Sequence, residues 1–130
     1  MTEIDIQIET NVYNTPYRCK GKKHTEGSVV TYEWEEVREK GEKPSKYRLT
    51  VDPQGKSCEL IRAGEVRSKL TFKPGERTLG SFVTMYGEME MHIKTMYINM
   101  PNMFTRSVEI SYSLDENSDL SVNTFVLREI

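Results

Sequence analysis

The segment Glu65-Val66-Arg67-Ser68-Lys69-Leu70-Thr71-Phe72-Lys73-Pro74-Gly75 decides the fold. Val66, Ser68, Leu70 and Phe72 share one parity, and Glu65, Arg67, Lys69 and Lys73 share the other. A period of two is the signature of a strand with one buried and one wet face. Pro74-Gly75 ends it with a type II turn signal, since Pro fixes φ and Gly accepts a positive φ.

The same alternation spreads in both directions. Toward the N-terminus, Cys58 and Leu60 share a parity, and Asp52-Pro53-Gln54-Gly55 supplies turn chemistry. Tyr47, Leu49 and Val51 form a short strand, preceded by breaks at Gly41 and Pro44. Residues 28–38 set Val30, Tyr32 and Trp34 against Glu33 and Glu35. Residues 14–27, with Pro16, Gly21 and Gly27, read as a polar loop. Ile4, Ile6 and Ile8 mark a first strand that ends near Val12.

Toward the C-terminus, residues 77–85 form a strand whose faces are blurred by adjacent Phe82 and Val83, and Tyr86-Gly87 turns the chain. Met89, Met91, Ile93, Thr95 and Tyr97 then oppose Glu88, Glu90, His92 and Lys94. After the loop Asn99-Met100-Pro101-Asn102 come Val108, Ile110, Tyr112 and Leu114, a polar turn at residues 115–119, and a last strand through Leu127.

The reading is all-β, with eight or nine antiparallel strands in sequential hairpins. Roughly a dozen residues per strand and turn fits a sandwich or an up-and-down barrel. The strands are long for a sandwich, and a closed meander removes aggregation-prone edges. The expectation is an up-and-down β-barrel. The 130 residues allow one domain, spanning 1–130.

Composition narrows the function classes. Apolar residues are 36% of the chain, in runs of three or four at most, so no membrane-spanning helix is expected. The formal net charge of −2 argues against a general nucleic-acid binder. The start Met1-Thr2-Glu3-Ile4-Asp5 lacks a secretory pattern, and the expected compartment is the cytoplasm. There Cys19 and Cys58 are expected as free thiols, with a disulfide between them as the alternative.

Two stretches resemble a known family. Leu60-Ile61-Arg62-Ala63-Gly64-Glu65-Val66 followed by Leu70-Thr71-Phe72 is one. The other is Tyr86-Gly87-Glu88-Met89-Glu90-Met91 with Thr95, similar to an aromatic-Gly-x-apolar-x-apolar segment with a downstream threonine. With Ile110-Ser111-Tyr112 and Asn123, they resemble the YwiB-like family of bacterial proteins across roughly residues 57–127. Residues 13–46 match it poorly. The resemblance implies a lipocalin-like, calycin-type barrel in a small cytoplasmic protein of Firmicute-like bacteria. The family is a domain of unknown function, so no catalytic residues carry over.

Met85, Met89, Met91, Met96, Met100 and Met103 are six of the seven methionines, all within 19 residues. Core filling is the first reading, since eight strands leave an interior just wide enough for side chains. An adaptable ligand lining is the second. Cu(I) binding is a distant third, as there is no nearby Cys–His set. Arg62 shares the parity of Cys58 and Leu60, and Glu36 and Arg38 continue the face of Trp34. An inward arginine at a barrel mouth suits a carboxylate or phosphate; an Arg–Glu pair at the rim is the blander reading.

No nucleophile elbow, zincin or P-loop pattern occurs, and His24 and His92 fall on polar ground. No enzyme, cofactor or metal is expected. The basic run Arg18, Lys20, Lys22, Lys23 and His24, beside Tyr17, reads as a solvated loop rather than a nucleic-acid contact. A homo-oligomer is compatible with the sequence and not indicated by it. The leading expectation is a barrel that binds a small apolar molecule, lined by Trp34, Tyr47, Arg62, Met89, Met91 and Tyr112. Its alternative is a filled barrel acting as a structural or interaction module through its outer surface.

Overall fold

The computed structural model describes residues 1–102, 104–114 and 122–130. The expected turn at residues 115–119 and Met103 lie outside the described residues. Ten strands follow one another: β1 (Thr2–Thr10), β2 (Tyr17–Glu26), β3 (Val29–Glu36), β4 (Ser45–Asp52), β5 (Ser57–Ala63), β6 (Arg67–Phe72), β7 (Arg77–Thr84), β8 (Gly87–Asn99), β9 (Ser107–Leu114) and β10 (Val122–Glu129). Each pairs antiparallel with the next, and β10 pairs with β1, so the meander closes into a barrel. Among the described residues, no helix is long and apolar enough to cross a membrane.

The tenth strand is β2, which lies in the stretch expected as a loop. The alternation was present, because Tyr17, Cys19 and Gly21 face inward while Arg18, Lys20 and Lys22 face out. Gly21 disguised it by resembling a break. A Cβ there would stand 2.8 Å from the Glu33 carbonyl oxygen and 3.0 Å from Ile6 Cδ1, so glycine is what the packing admits. The basic run is therefore the outer face of β2, not a loop.

That placement gives the outer surface its order. Asp5 and Glu3 of β1 face Lys20 and Lys22 of β2, and Lys22 in turn faces Glu33 of β3. Glu33 and Glu35 oppose Arg48 and Lys46 of β4. Lys20–Asp5 closes to 3.2 Å, Arg48–Glu33 to 3.5 Å, and Lys69–Glu59 between β6 and β5 to 3.8 Å. Exposed pairs of this kind contribute roughly 0–1 kcal/mol each. They also oppose a slip of register, since moving by one residue would turn a strand's charged row toward the core.

A second departure occurs in β8. A bulge between Thr95 and Tyr97 makes Met96 the extra residue and inverts the parity beyond it. Tyr97 was expected to face inward; it is exposed, and Ile98 takes the inward position opposite Ile110. The blurred faces of β7 also resolve: Gly80 is buried and Phe82 packs on the core. A Cβ on Gly80 would meet Ile93 Cδ1 at 2.8 Å and Leu70 Cδ2 at 2.9 Å.

Ile6, Trp34, Leu49, Leu70 and Ile110 are buried and Lys69 and Glu90 are exposed, as parity predicts, while Met91, expected buried, and Glu33, expected exposed, are both half-buried. The predicted turns hold as well. Gly75 has φ of +81° and Glu76 N–H donates to the Lys73 carbonyl at 3.1 Å, as a Pro-Gly turn requires.

Candidate functional site

The two ends of the barrel differ. Most inward positions toward the N-terminal end of β1 are enclosed, with Ile6, Tyr32, Val51, Cys58, Phe72 and Val108 buried almost completely and Ile4, Val30 and Ile98 half-buried at the edge. We call this end the base. At the opposite end, the rim, the inward positions Tyr47, Arg62, Phe82, Met91, Tyr112 and Leu114 are only half-buried.

A row of stacked rings crosses the rim layer. Tyr47 lies parallel to Trp34 at 5.3 Å between centroids, and Trp34 meets Phe125 of β10 at 6.3 Å. Below them, Phe72 and Tyr112 meet at 4.7 Å and belong to the filled part of the interior. Burial, followed by the charge of Glu36, pushes the Tyr47 hydroxyl up to about 12. The aromatic row thus remains neutral at ordinary pH.

Trp34 connects to a closed polar set. Its Nε1 donates to Glu36 Oε1 at 3.0 Å, and Arg38 Nε donates to Glu36 Oε2 at 2.9 Å. Arg38 is also held over Tyr13 at 4.0 Å and near Tyr17 at 5.1 Å, while Val37 N–H donates to the Tyr17 hydroxyl. This clasp joins the β1–β2 and β3–β4 connections over one side of the rim. Glu36 is 6% exposed, so the Arg–Glu rim pair considered from the sequence exists and involves Arg38.

Arg62 lies on the open side. Its guanidinium stands 5.6 Å from the Tyr47 ring centroid, and Nη2 donates to Ser45 Oγ at 3.2 Å. Its Nε is buried without an acceptor, and no carboxylate forms an ion pair with it among the described residues. A second orphan, Thr10 Oγ1, sits at the same end of β1, on the residue paired with Phe125.

Of the six expected lining residues, Trp34, Tyr47 and Arg62 come together at the rim, with Met91 and Tyr112 half-buried on β8 and β9. Met89 departs from the expectation. It is 50% exposed. Core filling does not hold for Met85, Met89 and Met96, which are exposed; among the described members of the cluster, Met91 is half-buried and Met100 packs against the core. No group of three or more His, Cys, Asp or Glu suited to a metal occurs among the described residues. Both cysteines are free.

Sequence reading missed the Tyr13–Arg38–Tyr17 clasp and the orphaned Thr10. Thr10 continues the parity of Ile4, Ile6 and Ile8, which would have placed it. Nothing local marks the clasp, whose members meet across two connections. A separate groove of about 580 Å³ runs over the outer face, between outward side chains that include Lys20, Lys22, Glu33, Lys46 and Arg48.

The comparisons agree with this architecture. The "Crystal structure of ywiB protein from Bacillus subtilis" is similar to the present structure at a TM-score of 0.71 and 18% identity, covering 98% of this chain and 89% of that one. At that identity the likeness concerns the fold. No curated protein matches. The family described as "Domain of unknown function (DUF1934)" matches residues 1–128, including the N-terminal part whose sequence resemblance was poor. The chain belongs to the DUF1934 family.

Proposed function

We propose that the barrel is a binding module that holds a small, largely apolar molecule at its rim. One observation carries this reading: inward-facing Tyr47, Arg62 and Met91 at the rim are only half-buried, whereas Val51, Cys58 and Phe72 toward the base are fully enclosed. Inward-facing apolar side chains left partly wet favour an apolar guest, because each contact removes water from both surfaces. The more enclosed base restricts the guest to the upper part of the barrel. The free thiols suit the cytoplasmic setting, and the lipocalin-like, calycin-type architecture implied by the YwiB resemblance adds support by analogy alone.

The test uses a neutral naphthylamine dye and the emission of Trp34, the single tryptophan. Binding at about micromolar concentration, equivalent to roughly 8 kcal/mol, is expected to quench Trp34 by energy transfer. Met91→Trp fills the space and abolishes dye binding without unfolding the barrel; Trp34 remains the donor for comparison. Absence of dye binding to the unaltered protein overturns the reading.

A second reading rests on the outer groove over β1–β5 and on rings that already meet inside, Phe72 with Tyr112. It makes the barrel a structural or interaction module working through its outer surface. The dye then fails to bind, and charge reversal at Lys46 and Arg48 alters association with a partner instead.

A further inference from the structure

We infer that the guest is an amphipathic monocarboxylate whose head group lies on Arg62, an inference that rests on the rim being the binding site. Arg62 and Arg38 stand at the same rim in opposite states. Arg38 has a counter-charge, with Glu36 at 2.9 Å and two tyrosine rings beside it. Arg62 has one neutral acceptor, Ser45 Oγ, one ring face, and a buried Nε with nothing to receive its proton. A half-buried guanidinium with no counter-charge and one enclosed N–H left without an acceptor is unfavourable, and an anion with two oxygens resolves it through paired N–H donors.

The number of charges selects the head group. Arg62 is the one inward-facing arginine without a carboxylate among the described residues, so it offers a single positive charge. The nearby cation Arg38 is already paired with Glu36, so it supplies no second free positive charge for a head group. A singly charged carboxylate fits; a phosphate monoester carrying close to two charges does not.

The remaining chemistry agrees with an amphipath. From Arg62 the rings of Tyr47, Trp34 and Phe125 lead across the rim toward Thr10, whose hydroxyl is the other orphan. Both orphaned polar atoms therefore belong to inward-facing residues at the same end of the barrel. Between them the surface offered is aromatic and thioether. It accepts an apolar body with a polar group at one end, and a second polar group within reach of Thr10 is tolerated.

Calorimetric titration of the full chain with octanoate, octanol and octyl phosphate, each below its micelle concentration, tests this directly. Octanoate is expected to bind at least tenfold more tightly than either of the others. Arg62→Met is expected to remove that preference while octanol binding persists, and Arg62→Lys to restore only part of it, since an ammonium lacks the planar fork. The ligand comparison on the unaltered protein needs no variant, so a misfolded Arg62→Met leaves the test intact. Equal binding of octanoate and octanol overturns the carboxylate and leaves the apolar site standing. Preference for octyl phosphate overturns the charge argument. Failure of all three to bind overturns the rim site itself.

Discussion

The base and the rim are made by the same ten strands with the same alternation, yet the base is the more fully enclosed of the two. At the base, the polar ends are complete: Glu129 accepts from the Tyr32 hydroxyl at 2.9 Å and from Lys23 Nζ at 2.8 Å, and Ile130 N–H donates to the Asp5 carbonyl. At the rim, the clasp of Glu36 and Arg38 seals one side and Arg62 is left open on the other. Parity fixes the direction in which a side chain points. What covers the end of the barrel fixes whether it is buried.

The largest expected effect separates the two ends. Phe72→Ala at the sealed base is expected to cost about 3–5 kcal/mol in urea unfolding, as for other fully enclosed aromatics. Met89→Ala, on the inward parity of β8 but exposed, is expected to cost no more than about 0.5 kcal/mol. Similar losses at the two positions would break the comparison, because they would mean that the rim is packed like the base.

This contrast also marks how far the sequence could be read. The period-two pattern was enough for an all-β meander and for burial of Ile6, Leu49, Leu70 and Ile110, because burial of one face imposes parity on the whole strand. It failed at Gly21, where a glycine demanded by the close approach of Glu33 looked like a turn, and at Met96, where a bulge leaves no trace in the local pattern. Trp34, Tyr47 and Arg62 were legible as a group because they share inward positions on β3, β4 and β5, which are neighbours in sequence and in space. Exposure at the rim was not legible. It depends on what covers each position, which parity does not carry, and Met89 is the residue on which that ignorance showed.

A second, smaller effect appears in alkali. Burial raises the Cys58 thiol from 9.0 to about 12, and burial with the Glu36 charge raises Cys19 to about 11. A thiol whose folded pKa exceeds its unfolded one binds its proton more firmly in the native state. The stability it adds is complete below pH 9 and is lost as pH rises toward the folded value. One pKa unit corresponds to about 1.4 kcal/mol, so Cys58 alone is expected to lower stability by about 3 kcal/mol between pH 9 and 12, with a smaller share from the less enclosed Cys19. Cys58→Ala at the base is expected to flatten this fall more than Cys19→Ala, whose side chain is less deeply enclosed. Equal flattening would show that the two thiols share one environment, against the graded burial seen here.

The smallest expected effect differs in sign between the two arginines of the rim. In Arg38→Met, Glu36 keeps the Trp34 donor but loses its charged partner while remaining enclosed, and stability is expected to fall by about 2 kcal/mol. In Arg62→Met no partner is orphaned, since only the Ser45 hydroxyl loses a donor, while an uncompensated cation and a buried, unsatisfied Nε both disappear. Methionine retains an apolar stem that packs on Tyr47. Without ligand, Arg62→Met is therefore expected to raise stability by about 1 kcal/mol, read as a higher urea midpoint at unchanged slope. Octanoate, which stabilises the native state of the unaltered protein by mass action, is expected to erase that advantage as its concentration passes the dissociation constant. A residue that lowers stability when alone and raises it with an anion present is one retained for binding. If Arg62→Met instead destabilises the ligand-free protein as Arg38→Met does, Arg62 is part of the closure of the barrel, and the rim differs from the base only in degree.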